Sequence, residues 1–167
     1  VYFNTVLWYT VEEIKGLLTF NELSVRFKGG NNMTPNKEDY IKAIYKLGGN
    51  HEVVSNKSIT NMLQISAAST TEMLNKLVTE DYVDYVRYKG ARLTEKGILF
   101  AERLIRTHKI WEVFLVQSLG FSPDEVHAQA EVLEHASSPE LINRLVDFLD
   151  DPTHCPHGEI IPTIREI

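Results

Sequence analysis

A mainly α-helical fold with one small β-hairpin is predicted by three features of this 167-residue sequence. Apolar side chains recur every three or four positions through most of residues 36–148, which is the spacing of amphipathic helices. Apolar and polar residues instead alternate in 82–86, and a Lys-Gly turn follows, as in a β-hairpin. The hairpin follows a short helix, a tight turn and a second helix, and this order predicts a winged helix-turn-helix.

The winged helix is predicted at residues 33–94. Asn36 is the expected N-cap of a helix in NKEDYIKAIYKLGG, which the glycine pair ends. NKSITNMLQIS predicts a short helix, and Ser66 caps the second helix of the pair, in SAASTTEMLNKLVTEDYV. DYVDYVRYKGARLTEKG then predicts the two strands of the wing.

A second, helical domain is predicted at residues 95–152. Thr94 caps a long helix that ends at Gly120, and two Ser-Pro pairs, at 122–123 and 138–139, open two further helices. The remaining residues, 153–167, contain three turn-forming Pro and Gly residues and predict a loop-like tail.

Composition and charge limit the class of protein. The hydrophobic and charged fractions, 43% and 24%, are ordinary for a globular domain, and no apolar run approaches the roughly 20 residues that cross a bilayer. A single cysteine fits a reducing cytoplasm. Residues 94–167 hold 6 basic and 13 acidic side chains, which favours cation binding over non-specific coating of nucleic acid.

The stretch KGGNNM at Lys28–Met33 marks a boundary. Its codons can spell a bacterial ribosome-binding sequence at a suitable distance before a start at Met33, so residues 1–32 are expected to be a non-native upstream extension. The alternative is an ordinary Gly-Asn linker, which the same composition also predicts.

The start of the second helix of the pair carries small and polar residues of the kind that contact DNA in the major groove. Hydroxyls can donate to phosphates or bases, small methyl groups can touch thymine methyls, and basic side chains of the helix and wing can meet phosphates. The alternative is that the hydroxyls only cap a helix and the basic groups are solvated. The candidate DNA-binding residues are Ser66, Ala67, Ala68, Ser69, Thr70, Thr71, Lys76, Arg87, Lys89 and Arg92.

Three groups of metal-binding residue types occur in the acidic half. EVLEH places Glu131, Glu134 and His135 on one helix face, where the two carboxylates repel unless a metal ion, a Lys or Arg, or water lies among them. His108 and Glu112 are four residues apart on the long helix, and HCPHG places Cys155 two residues before His157. Each group alone is also compatible with packing or solvated charge.

The motifs MTPNKEDYIKAIY, LTEKG, THKIWEVFLV, EVLEH and CPHG, in this order and spacing, resemble the diphtheria-toxin-repressor family. The match is closest to its manganese-responsive branch and covers Met33 to about Pro162. The resemblance implies a winged helix joined to a helical metal-binding and dimerisation domain. It also implies a cytoplasmic homodimer that binds a palindromic operator in double-stranded DNA. Binding to a membrane is not expected.

The resemblance further implies two metal sites. The first would use Asp39, His108, Glu131, Glu134 and His135, and the second would use Glu112, Cys155 and His157. In the long branch, a carboxylate from an SH3-like domain completes the second site. Because the sequence ends at Ile167, that domain is expected to be missing and the second site incomplete. Lys42 stands where a two-metal branch has a carboxylate, so that arrangement is not expected here.

The function predicted from the sequence is that of a metal-dependent transcriptional repressor of metal-uptake genes, and not of an enzyme. Mn(II) is the expected metal because oxygen donors dominate the first site, with Fe(II) as the alternative and Zn(II) or Cd(II) as substitutes. The first rival is a metal-independent winged-helix regulator whose acidic helices only dimerise. The second is a metallohydrolase, for which the sequence shows neither an open coordination position nor a substrate cleft.

Overall fold

The computed structural model describes residues 35–86 and 89–163. The expected upstream extension, residues 1–32, lies outside them. The elements in chain order are helices α1 (Pro35–Lys46), α2 (Asn56–Leu63) and α3 (Ala67–Thr79), strands β1 (Val83–Val86) and β2 (Gly90–Leu93), and helices α4 (Glu95–Leu119), α5 (Pro123–Ala136) and α6 (Pro139–Phe148). The predicted mainly helical architecture with a hairpin wing is confirmed.

Helix ends are set by local chemistry that the sequence displays. The side chains of Ser66 and Thr94 accept hydrogen bonds from backbone N–H groups three residues later, as N-caps do. Gly120 ends α4 in the left-handed conformation, at φ 74°. The prediction of Asn36 as a cap was wrong, because α1 already begins at Pro35, whose fixed φ suits a first helical turn.

The winged helix has its own core. Helices α1, α2 and α3 pack their apolar faces together and against the hairpin, whose strands pair antiparallel with Val83 opposite Leu93. The core side chains that are fully buried include Ile41, Ile44, Ile59, Leu74 and Leu77.

The hairpin is tied to the helices by a third extended segment. Val54 and Ala91 exchange two backbone hydrogen bonds of 2.8 and 2.9 Å. At Gly90 the backbone has φ 138°, and a Cβ there would lie 1.9 Å from the Val54 carbonyl oxygen. Only glycine fits this position without displacing the wing.

A second core lies between α4, α6 and the segment after α6. Its buried residues are Ile110, Val113, Ile142, Leu145, Cys155 and Ile161. Over the described residues 153–163 the segment contains a turn, in which the Cys155 N–H donates to the Glu159 carbonyl oxygen, and a bridge between His154 and Ile160. No helix among residues 35–163 is long and apolar enough to cross a membrane.

Candidate metal centre and nucleic-acid interface

The first cluster of ligand-type side chains forms where α1 meets α5. Asp39 comes from α1, whereas Glu131, Glu134 and His135 come from the last two turns of α5. One potential ligand atom from each of the four lies within 4.8 Å of the others. The sequence predicted the convergence on α5, and tertiary packing brings Asp39 of α1, which the resemblance implied, to the same place.

Lys42 lies between the two α5 carboxylates. Its Nζ donates to Glu131 Oε2 at 2.8 Å and to Glu134 Oε1 at 2.6 Å, and the lysine is only 4% exposed. Burial alone would raise the pKa of Glu131, but the hydrogen bond and the charge of Lys42, with smaller contributions from His108 and Lys46, together outweigh burial and lower that pKa. The positive charge among these carboxylates is therefore an ammonium group supplied by α1.

The net shift in pKa has the opposite direction at Asp39. Desolvation raises the pKa of its carboxyl group, and the attraction of His135 offsets this only in part. A cation that bound the Asp39 carboxylate would relieve this desolvation cost.

His135 is held from both sides. Its Nδ1 is 2.5 Å from Glu38 Oε2 on α1, while its Nε2 is 3.2 Å from Asp39 Oδ1 and 3.7 Å from Glu134 Oε1. Glu38 was not among the residues singled out from the sequence.

His108 lies beneath the first cluster and connects it to a second one. Its Nδ1 is 2.5 Å from Glu134 Oε2 and its Nε2 is 3.1 Å from Glu112 Oε1, with the ring buried. Burial lowers the pKa of His108, but the hydrogen bonds with Glu112 and Glu134 outweigh it and leave the pKa raised. His108 thus contacts ligand candidates of both predicted sites.

His127 is a site residue that the sequence reasoning missed. Its Nδ1 lies 3.0 Å from His108 Nε2 and 3.3 Å from Glu112 Oε1, and it groups with His108 and Glu131 as a third possible set of metal ligands. The signal was available, because His127 precedes Glu131 by four residues and therefore shares its helix face.

The second predicted cluster is also assembled. One ligand atom each from Glu112, Cys155 and His157 lies within 4.8 Å of the others. His157 Nε2 donates to the Pro123 carbonyl oxygen at 2.9 Å, which leaves Nδ1 facing Glu112 Oε2 at 3.4 Å.

The electrostatics of Glu112 suit a cation site. Burial would raise its pKa, but hydrogen bonds and charge from His108, with smaller contributions from His127 and His157, lower it to about 2. Glu112 is therefore ionised at neutral pH, so that its carboxylate can act as a ligand without first losing a proton.

An open cavity of about 700 Å³ adjoins the second cluster, through Glu112 and His157. Most of its lining side chains are basic or of metal-ligand types, and the complete lining is Lys42, Tyr45, Lys46, Ile105, His108, Lys109, Glu112, His127, His157, Glu159 and Pro162. Lys109 and Arg106 of α4 donate to the backbone carbonyls of Ile160 and Pro162, which anchors the tail against the cavity.

The candidate DNA-binding residues are mostly presented to solvent. The start of α3 exposes Ser66, Ala67, Ala68, Ser69 and Thr71. Three basic candidates elsewhere are also exposed, namely Lys76, Lys89 and Arg92. Arg87 lies outside the described residues. Thr70, in contrast, does not lie on this exposed surface. It is fully buried, and its hydroxyl contacts Thr60 Oγ1 at 2.9 Å and the Ser66 carbonyl at 3.1 Å, so it supports the turn between α2 and α3 and does not reach DNA.

Two of the basic candidates already have acidic partners. Lys76 pairs with Glu72 at 2.7 Å, and Arg92 pairs with Asp84 at 3.1 Å. Both pairs are exposed and worth little in water, so DNA phosphates can replace the carboxylates.

Comparison with known proteins assigns the two halves. Residues 32–91 match the family description "Iron dependent repressor, N-terminal DNA binding domain". Residues 94–163 match "Iron dependent repressor, metal binding and dimerisation domain".

Named relatives agree with these matches. The HTH-type transcriptional regulator MntR of Listeria innocua is 31% identical over 134 residues, which are 80% of this chain and 92% of MntR. The structure of the manganese regulator SloR is 46% identical, with a TM-score of 0.68, over 79% of this chain and 61% of SloR. The structure of ScaR with bound Zn2+ is 43% identical, with a TM-score of 0.69, over 77% of this chain and 60% of ScaR.

The chain thus spans about three fifths of the length of these two solved structures. The family description covers a DNA-binding domain and a metal-binding dimerisation domain, and the relatives are transcriptional regulators and not enzymes. The chain belongs to the iron-dependent repressor family, the diphtheria-toxin-repressor group that its sequence motifs resemble.

Proposed function

We propose that this protein is a Mn(II)-activated transcriptional repressor that binds a palindromic operator as a homodimer in the cytoplasm and controls genes for metal uptake. One observation carries the proposal. The first cluster combines Asp39 of α1, in the DNA-binding half, with three ligand candidates of α5 in the other half. A cation bound to all four would fix the winged helix relative to the dimerisation helices.

The donor set fits a hard divalent cation. Asp39, Glu131 and Glu134 would supply carboxylate oxygens, and His135 an imidazole nitrogen, with His108 close behind them. Oxygen-rich sites suit Mn(II), although intrinsic affinity increases towards Zn(II). SloR is described as a manganese regulator, the family description names iron, and ScaR was solved with bound Zn2+ and with bound Cd2+. These descriptions support Mn(II) as the activator, Fe(II) as the alternative, and Zn(II) or Cd(II) as ions that substitute in binding.

A second metal site is proposed at Glu112, Cys155 and His157. A thiolate, an imidazole and a carboxylate are three of the four ligands that a closed site needs. His127 is the additional nitrogen that lies within reach of Glu112. We assign the winged helix to residues 33–94, the metal-binding and dimerisation helices to 95–152, and the tail to 153–167. Residues 1–32 stay a proposed upstream extension.

Lys42 favours a second candidate function, a metal-independent regulator. Its ammonium group already joins α1 to α5 through Glu131 and Glu134, as a metal would. In that case, the connection between the two halves would be permanent, and operator binding would not respond to metal.

Operator binding measured against metal concentration separates the two candidates. A palindromic duplex is first selected from a random DNA pool with the Mn(II)-loaded protein, and its affinity is measured by fluorescence anisotropy. We expect Mn(II) to increase the affinity, and Glu131→Gln or His135→Ala to abolish the increase while the protein stays folded. Glu125→Gln is the matched control, because Glu125 is exposed on the same helix and, within the part of the chain that the structure describes, its side chain bonds only to Ser122. Equal binding by the parent in a chelator would instead support the metal-independent regulator.

A further inference from the structure

Glu38 is positioned to orient a metal ligand without binding the metal itself. We propose that Glu38 is a positioning residue that fixes the ring and the tautomer of His135, so that Nε2 carries a lone pair towards Asp39, Glu131 and Glu134. The inference rests on the proposed first metal site and deepens it, because it assigns a role to a residue next to the ligand Asp39.

The geometry of the two ring nitrogens carries the proposal. Nδ1 of His135 is 2.5 Å from Glu38 Oε2, and because an ionised carboxylate can only accept, the ring N–H is the donor in this contact. Nε2 points the other way, 3.2 Å from Asp39 Oδ1 and 3.7 Å from Glu134 Oε1. In a neutral imidazole only one nitrogen bears a proton, so a proton held on Nδ1 by Glu38 leaves Nε2 free to bind a cation.

Burial makes this contact specific. The side chains of His135 and Glu38 are 14% and 16% exposed, so few water molecules compete for Nδ1. A histidine ligand whose other ring N–H donates to a carboxylate is better oriented and more basic, and loss of such a partner typically lowers metal affinity by about 10- to 100-fold.

The position of Glu38 on α1 adds a second consequence. Glu38 and Asp39 are neighbours on this helix, so both the ligand and the group that orients the opposing ligand come from the DNA-binding half. Movement of α1 away from α5 would therefore remove Asp39 from the site and release the ring of His135 together.

Substitution at Glu38 tests the proposal through metal affinity and through the tautomer. Free Mn(II) is titrated with protein and measured by its electron paramagnetic resonance signal. We expect Glu38→Ala to weaken binding about 10- to 100-fold. We expect Glu38→Gln to stay within about threefold of the parent, because the amide oxygen still accepts from Nδ1–H. Glu72→Ala is the control for the loss of a carboxylate, since Glu72 is exposed on α3 and pairs with Lys76.

The tautomer gives a readout that a merely structural role would not change. In the metal-free protein at mildly alkaline pH, long-range ¹H–¹⁵N spectra should show His135 with its proton on Nδ1. In Glu38→Ala, the spectra should show a mixture or the Nε2–H form, with unchanged far-ultraviolet circular dichroism. A proton on Nε2 in the parent, or Mn(II) affinity in Glu38→Ala equal to that of Glu72→Ala, would overturn the proposal.

Failure of the underlying metal site gives a different result. If the parent and His135→Ala bind Mn(II) equally, the first site itself is wrong. If His135→Ala loses affinity and Glu38→Ala does not, only the role of Glu38 is refuted.

Discussion

Replacement of Lys42 by methionine is expected to tighten Mn(II) binding and to destabilise the metal-free protein. The Lys42 ammonium group contacts both Glu131 and Glu134, so a metal ion can bind these carboxylates only after the ammonium group moves away. Methionine keeps the length of the side chain and most of its apolar contacts, and it removes the charge.

Coulomb's law gives the size of the effect. An ammonium group that lies about 8 Å from a divalent ion still repels it by about 1 kcal/mol at the dielectric constant of water. At an effective dielectric constant of about 20, the repulsion is about 4 kcal/mol. Affinity for Mn(II) should therefore increase at least about fivefold. In the metal-free variant, buried Glu134 loses the Lys42 ammonium group and keeps only its histidine contacts, which should lower the free energy of unfolding by about 3 kcal/mol.

Lys46→Met is the matched control. Lys46 lies one helical turn further along α1 and lines the same cavity, but it is exposed and forms no hydrogen bond with Glu131 or Glu134. Mn(II) affinity is measured by titration of the free-ion resonance signal, and stability by urea unfolding in a chelator. If Lys42→Met binds Mn(II) no more tightly than Lys46→Met, the competition between lysine and metal is refuted.

Three further predictions concern the DNA contacts of the wing, the second cluster and the stability of the wing. Arg87→Ala and Lys89→Ala should weaken binding to all DNA sequences and each reduce the salt slope by about one, since both are expected to meet phosphates; a sequence-selective loss in anisotropy assays would mean that the wing reads bases. The pKa of Glu112 falls from 4.5 to about 2 on folding, which is worth ~3 kcal/mol of stability above pH 4.5 that is lost as pH falls towards 2. Urea unfolding in a chelator should therefore show the destabilisation by Glu112→Gln shrinking between pH 5.5 and pH 3, whereas a gap independent of pH would contradict this assignment. Gly90→Ala should lower the free energy of unfolding by about 2 kcal/mol or more, because the new methyl group would clash with the Val54 carbonyl oxygen and because the backbone there has a positive φ that alanine rarely adopts. A melting temperature equal to that of the parent would contradict this.

The elements of this fold were predictable because their signals are local. Ser66 and Thr94 cap their helices through contacts within one turn, and Glu131, Glu134 and His135 converge because one helix carries all three. The family and the fold class predicted from such motifs are confirmed by the comparisons.

The rest depends on contacts between distant parts of the chain. Lys42 reaches Glu131 and Glu134 across 89 and 92 residues, and Glu38 reaches His135 across 97, so no sequence spacing displays these pairs. Thr70 shows the converse error. Its position in a polar helix start suggested DNA contact, but the tight packing of α2 against α3 buries it.

The central claim is that one divalent cation joins α1 to α5 through Asp39, Glu131, Glu134 and His135. A crystal structure of the Mn(II)-loaded protein, with anomalous scattering measured at the manganese edge, tests it directly. We predict an anomalous peak among these four side chains, with the Lys42 ammonium group moved out of hydrogen-bonding distance of Glu134. Manganese bound only at Glu112, Cys155 and His157, with Lys42 still between the carboxylates, would contradict the claim.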